Sequence, residues 1–294
     1  MKRTIIFIVT IFSFTSYCFI ACGPSAAEKE KNRVKRQLIA NPVVWDTIYV
    51  DEKEAVGLDT LGTLCTVNIQ FIVPKEYQNT EILRSIQQEL NYALIDEDSL
   101  DEALSVEMIK KYAADYIVNY IEDAKKDYSL WKSINTPMGS YTKEIESDVI
   151  FDEANLISYQ LKGIEYSGTD TTSVIYENLL FDLTDGRKLS EEDIFKEGYK
   201  GELNKMLTEQ LLKMNRVTTV GELQDLGYWG AADIAANDNF YVDTDGITYT
   251  YNPGEYADSK LGVLNIRIGY DHLLSADILR NPSPISILYK AEEE

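Results

Sequence analysis

Near Trp131 the spacing of apolar residues changes from about 3.6 to about 2, which divides the chain into a helical block and a strand block. Before that point two helices are expected. The first, about Tyr77 to Leu94, carries Ile82, Leu83, Ile86 and Leu90 on one face. The second is expected to start at the capping box Ser99-Leu100-Asp101-Glu102 and to run through Leu104, Met108, Ile109, Tyr112, Tyr116, Ile117, Tyr120, Ile121, Ala124 and Tyr128. Its tyrosine stripe could serve as a carbohydrate platform, but the spacing is that of a helix packed on a sheet. Strands are expected ahead of the helices at Val43–Val50 and Leu64–Val73, the latter ended by Pro74.

Beyond Trp131, Ser140–Phe151, Leu156–Tyr166 and Thr172–Leu183 read as consecutive strands, with turns at Asp152-Glu153-Ala154-Asn155 and Gly168-Thr169-Asp170. A short helix follows at Ser190-Glu191-Glu192-Asp193, a longer one at about Tyr199–Met214, and a partial helix and loop at Thr219–Gly230. Asp243-Thr244-Asp245-Gly246 lies between Asn239–Val242 and Ile247–Tyr251, the strongest hairpin signal in the chain, and Val263–Ile268 adds another strand. Strands and helices in blocks imply an α+β fold of antiparallel sheets, with helices packed on one face and two intertwined subdomains, 41–135 and 136–280, followed by a tail at 281–294.

The first residues predict export. Lys2 and Arg3 precede an apolar run that ends at Cys22-Gly23-Pro24, the layout of a secretory signal. Phe19-Ile20-Ala21-Cys22 resembles a lipobox, although Phe19 stands where Leu is usual. It implies a signal peptide over 1–21, lipid on Cys22, and a body held at the cell envelope, at the outer membrane or cell surface. An uncleaved signal anchor is the competing reading. Residues 22–40, charged and without apolar periodicity, read as a tether.

Charge and rare residues narrow the chemistry. The formal net charge is −21, and removing Lys2 and Arg3 with the signal makes it −23, from 26 basic and 49 acidic residues. Nucleic acid is excluded as a partner on that ground. Of three cysteines, Cys18 leaves with the signal and Cys22 carries lipid, so Cys65 is the only thiol of the body and reads as a small buried hydrophobe. One histidine, His272, removes most zinc sites, and no G-x-S-x-G elbow exists for it to serve. The Asp243–Gly246 segment has too few acids at calcium-loop spacing and reads as a plain turn. No metal or cofactor is expected.

Three segments in order carry a family resemblance: Ile164-Glu165-Tyr166-Ser167-Gly168-Thr169-Asp170 leading into Asn178–Phe195; Asn239–Ala257, with Tyr251-Asn252-Pro253-Gly254-Glu255-Tyr256; and Leu264–Tyr270. The series resembles the domain-of-unknown-function family that forms the C-terminal part of the RsiV-type, lysozyme-sensing anti-sigma factors of Gram-positive bacteria. Residues 43–131 more faintly resemble the accompanying N-terminal domain, found also beside peptidoglycan deacetylases. The family commonly carries a Gly-Gly-x-His type loop where this chain has Ser167-Gly168-Thr169-Asp170, which puts its binding preference in doubt. Only two charged residues precede the apolar stretch, so a complete anti-sigma factor is not expected.

The resemblance implies a non-catalytic binding module for a lysozyme-like protein or a cell-wall ligand such as peptidoglycan. The binding candidates are Ser167, Gly168, Thr169 and Asp170 together with Tyr249, Tyr251 and Tyr256. For the tyrosines the competing reading is that they close the hairpin. The alternatives to a binder are a carboxylate-based glycan-active enzyme, for which no pair of acids stands out by spacing, and a structural envelope protein.

Overall fold

Alternation in the first extended runs produces β1 (Val44–Val56) and β2 (Thr63–Glu76), paired antiparallel in a computed structural model that describes residues 38–56, 63–95, 105–133, 140–166 and 172–289. Pro74 does not end β2 as expected. It lies opposite Trp45 at a register shift, beyond Gln70, the last β2 residue paired with β3, so its missing N–H withholds no bond from β3. The chain then crosses over through α1 (Thr80–Ile95) and α2 (Val106–Ser133) and returns as β3 (Tyr141–Glu153), parallel to β2. A helical crossover makes this parallel pairing possible, and every other pair in the sheet is antiparallel, in keeping with the mostly antiparallel sheets expected. The capping box at Ser99 lies outside the described residues. The Ser105 side chain instead accepts from Met108 N at 3.2 Å at the start of α2.

β4 (Leu156–Tyr166), β5 (Thr172–Asp182) and the short β6 (Arg187–Leu189) complete a six-stranded sheet in the order β1-β2-β3-β4-β5-β6. It runs through the expected boundary at 135/136, because β2 and β3 lie on either side of it. Ala154 and Asn155, both at positive φ, make the β3–β4 turn. The helices cover one face of the sheet: Ile82, Ile86 and Leu90 of α1 and Ile109, Ala113 and Ile117 of α2 share a core with Val67, Ile69, Phe71 and Tyr159. The tyrosine stripe is therefore the margin of this core, with Tyr112, Tyr116 and Tyr120 half-buried against it. Cys65 is fully buried, and burial raises its thiol to about 11, as suits a hydrophobe and not a nucleophile.

Opposite the helices, the strand block builds a second sheet, β7 (Phe240–Val242), β8 (Gly246–Tyr251) and β9 (Leu264–Gly269), antiparallel in that order. Around it lie α3 (Glu191–Ile194), α4 (Lys200–Asn215), α5 (Val220–Asp225) and α6 (Tyr270–Ser275). Leu156–Tyr159 of β4 are buried four in a row, as a strand covered on both faces must be. There the Ser158 hydroxyl donates to Val242 O at 2.8 Å and accepts from Val242 N at 3.1 Å.

The joint between the sheets is made by side-chain amides. β6 covers β5 only at Leu180–Asp182, which leaves the outward backbone of Tyr176 and Asn178 without a strand. Asn252 accepts from Tyr176 N at 2.7 Å and donates to Tyr176 O at 3.2 Å. Asn239 accepts from Asn178 N at 2.9 Å and donates to Tyr176 O at 2.9 Å. The buried Asn178 side chain then donates to Asn239 Oδ1 at 2.8 Å and Thr250 Oγ1 at 2.9 Å. Two amides thus do the work of a missing strand, and both come from the small sheet's flanks.

A charged cluster fastens α2 to the other end of β3 and β4. Lys143 Nζ is 2.8 Å from Glu165 Oε1 and 4.1 Å from the Tyr116 ring centroid, and the Tyr116 hydroxyl donates to the same carboxylate at 2.9 Å while bonding the Tyr141 hydroxyl. Burial is the largest single influence on the Glu165 carboxyl and works to raise it, but the bond and charge of Lys143 together with the bonds from Tyr116 and Tyr141 hold the group below its usual value. Burial likewise opposes the Lys143 charge, and Glu165 and Tyr112 together reverse that to raise its pKa.

Two outcomes are expected. Asn239→Ala removes the partner of Asn178 N and one of the two donors to Tyr176 O, and should lower stability by about 2–3 kcal/mol in urea unfolding; a loss below about 0.5 kcal/mol would show that the amides hold nothing. A carboxyl depressed in the folded state contributes stability that is present above its unfolded value, about 4.3, and lost as pH falls through the folded one. The stability gap between wild type and Lys143→Met should therefore narrow from about pH 6 to about pH 3, and a constant gap would contradict the ion pair.

Candidate functional site

Residues 218–230 form a rigid corner from local chemistry. Thr219 Oγ1 accepts from Glu222 N at 3.3 Å, while the Glu222 carboxylate accepts from the backbone N–H groups of Thr218 and Thr219 at 2.8 and 2.9 Å, a reciprocal cap for α5. Those backbone bonds hold the exposed Glu222 carboxyl below its usual value. The helix stops at Gly227, whose φ of 97° is open to glycine at little cost. Two backbone bonds then staple this turn to residues 256–258: Gly230 N to Tyr256 O at 2.9 Å and Asp258 N to Gly227 O at 2.8 Å. A β-carbon on Gly230 would come 2.8 Å from Tyr256 Cδ1, so only glycine lets the two segments close.

The result exposes apolar side chains from both segments. Trp229 is 57% exposed, Leu226 49% and Leu261 46%, on backbone tied down on either side. Exposed Glu222, Asp225, Asp233 and Asp258 lie on or next to the same two segments, with Lys260 exposed beside Leu261 in sequence. Apolar groups on fixed loops with an acidic rim can anchor a protein surface at little ordering cost and favour a basic one.

Of the residues singled out in the sequence, Tyr249 and Tyr251 lie in β8, where every residue from Gly246 to Tyr251 is buried. They are 0% and 1% exposed, and the Tyr251 hydroxyl donates to Ala235 O at 2.9 Å, so neither ring can meet a partner. The hairpin-closing reading is the one their burial fits. Tyr256 stacks edge-on against Tyr251 at 5.3 Å between centroids and keeps part of its surface in solvent beside Trp229's segment. Cys22 and the loop Ser167, Gly168, Thr169 and Asp170 lie outside the described residues; the strand ends flanking that loop, Tyr166 and Thr172, are exposed.

Other candidate chemistry is occupied or absent. His272 is exposed on α6 and lines a hollow of about 140 Å³ with Glu209 and Lys213. At the Asp243–Gly246 turn, Arg267 pairs with Asp243 and lies 3.6 Å from Asp245, so a guanidinium stands where a cation would be held. Among the described residues no group of three or more His, Cys, Asp or Glu side chains could hold a metal ion. Trp229, Leu226 and Leu261 were not singled out by sequence. The available signal was Gly227-Tyr228-Trp229-Gly230, a tryptophan between two glycines with no apolar alternation to bury it.

Known proteins place this architecture. The family model described as a protein of unknown function, DUF3298, matches residues 192–271, which span α3 through the start of α6. No curated protein matches the chain. A crystal structure of a DUF3298 family member from Bacteroides fragilis is 30% identical with a TM-score of 0.77, covering 85% of this chain and 97% of that one. A DUF3298 family protein from Pseudomonas aeruginosa has the same fold at 11% identity, with a TM-score of 0.54 over 82% of this chain and 96% of its own. With 30% identity across nearly the whole of the Bacteroides protein, the chain belongs to the DUF3298 family.

Proposed function

We propose that this protein is a non-catalytic, RsiV-like binding module of the cell envelope, exported, anchored through lipid on Cys22, and presenting the Trp229 corner to a cationic, lysozyme-like protein. The observation that carries the reading is the exposure of Trp229, Leu226 and Leu261 on segments whose backbone is already fixed. Large exposed apolar side chains reduce solubility unless a partner covers them, and tryptophan dominates the energetics of interfaces when it is covered. The net charge of −21 supports attraction of a basic partner at encounter. The tether at 22–40 would give the body reach from the membrane, and peptidoglycan stands as the second ligand to test.

The soluble body from Ile39 onward is a compact unit and suits a binding assay. Its binding to lysozyme is expected to be saturable, to weaken as salt rises from about 50 to about 150 mM without vanishing, and to fall at least about tenfold in Trp229→Ala. Because Trp229 is exposed, the melting temperature of that variant should stay within about a degree or two of wild type. Binding lost entirely at about 150 mM salt, or unaffected by Trp229→Ala, would mean that charge alone attracts lysozyme and that this corner is not the site.

A further inference from the structure

β1 is the outer strand of the large sheet, paired on one side only, and its 13 residues are about twice the usual strand length. The bonds of β2 show which of its backbone groups are left outward. Ile72 N–H donates to the Ser147 hydroxyl at 2.7 Å and Ile72 O accepts from the Tyr159 hydroxyl at 2.6 Å, so both point away from β1. Thr47, opposite Ile72, therefore turns its own N–H and C=O outward, and the Asp46 carboxylate takes that N–H at 2.9 Å. The register runs unshifted from there to Val56, so Tyr49, Asp51, Lys53 and Ala55 also present their N–H and C=O groups outward, about 7 Å apart. All four residues are exposed, Tyr49 at 68%.

A bare edge is a template for another strand. β1 of a second copy is a poor fit, because like charges directly opposite one another destabilise a pair. A two-fold antiparallel pair centred on Asp51 or Glu52 sets that acid against itself, and one centred on Lys53 sets Glu52 against Glu54. Centring on Tyr49 or Val50 needs the Thr47 N–H that Asp46 already holds, and sets Asp46 against Glu52 or Glu54.

The same acids suit a strand that brings cations. Asp51 shares with Tyr49 the face turned away from the helices, while Glu52 and Glu54 continue the row of Ile48 and Val50 on the helix face. Among the described residues none of Asp51, Glu52 and Glu54 is held in an ion pair. We propose that residues 49–55 of β1 take up an extended basic segment of another polypeptide as an added antiparallel strand, a site separate from the Trp229 corner. Its backbone exchanges bonds with Tyr49, Asp51 and Lys53, and its Lys or Arg side chains stand opposite Asp51 on one face and Glu52 and Glu54 on the other.

Calorimetric titration of the full-length protein with the capped peptide TKTKKVV tests this, written so that its residues run opposite Ala55 back to Tyr49. Two N-methylated forms separate strand addition from simple attraction. Methylation at the residues opposite Asp51 and Lys53 removes N–H groups that would bond β1, whereas methylation at those opposite Glu52 and Val50 removes outward ones. The expected result is saturable binding of the parent and the second form, with at least about tenfold weaker binding of the first form and of the acidic counterpart TETEEVV. Trp229→Ala should bind the peptide as wild type does. At saturation the amides of Tyr49, Asp51 and Lys53 should exchange at least about tenfold more slowly. Absence of saturable binding, equal binding of the two methylated forms or of TETEEVV, loss in Trp229→Ala, or unchanged exchange at those three amides would each overturn the assignment. Exchange already slow there without peptide, in step with a concentration-dependent dimer, would give the edge to a second copy instead.

Discussion

The fold depends on how the open edge of β5 is closed. A strand edge that ends inside a protein must find partners for its outward N–H and C=O groups, since each buried group left without one costs on the order of 1–3 kcal/mol. Here β6 reaches only to Leu180, and the Asn239 and Asn252 amides take over at Tyr176 and Asn178. An asparagine side chain offers the same donor and acceptor as a peptide unit, so it can substitute for a strand without continuing as one. Asn239 immediately precedes β7 and Asn252 immediately follows β8, which ties the position of the small sheet to the register of the large one. The Ser158–Val242 pair repeats the device one strand further in.

Much of the architecture was legible because it is periodic. The α+β class, the two helices before Trp131 and the hairpin at Asp243–Gly246 all follow from spacing and turn chemistry, and the structure has them. Three parts were not legible. Asn178, Asn239 and Asn252 form no pattern, because an amide that plugs a strand edge acts once, at a place set by tertiary structure. For Tyr249 and Tyr251 the local sequence leaves interface anchor and hairpin closure both open, and tertiary structure decides: β8 is central and covered on both sides, so all of its side chains are buried. Trp229 reads in the sequence only as part of the partial helix and loop at Thr219–Gly230: its flanking glycines mark a loop, but the staples that fix that loop and hold the ring outward come from residues 256–258.

At the Trp229 corner, a glycine lets two segments meet so that apolar side chains are held outward. That is local conformational stability set aside on a scaffold that is otherwise densely packed, and such departures from local preference concentrate at functional sites. The acidic surface serves both solubility and the encounter of a basic partner, whereas specificity has to come from the fixed apolar groups.

The claim that the amide joint makes the two sheets one cooperative unit is tested most directly by native-state hydrogen exchange of the backbone amides of β4 and β8. Equal opening free energies, falling together in Asn239→Ala, are the predicted result. Exchange of β8 through an opening of clearly lower free energy, with β4 protected and both indifferent to Asn239→Ala, would show that the sheets fold separately and that the joint holds neither.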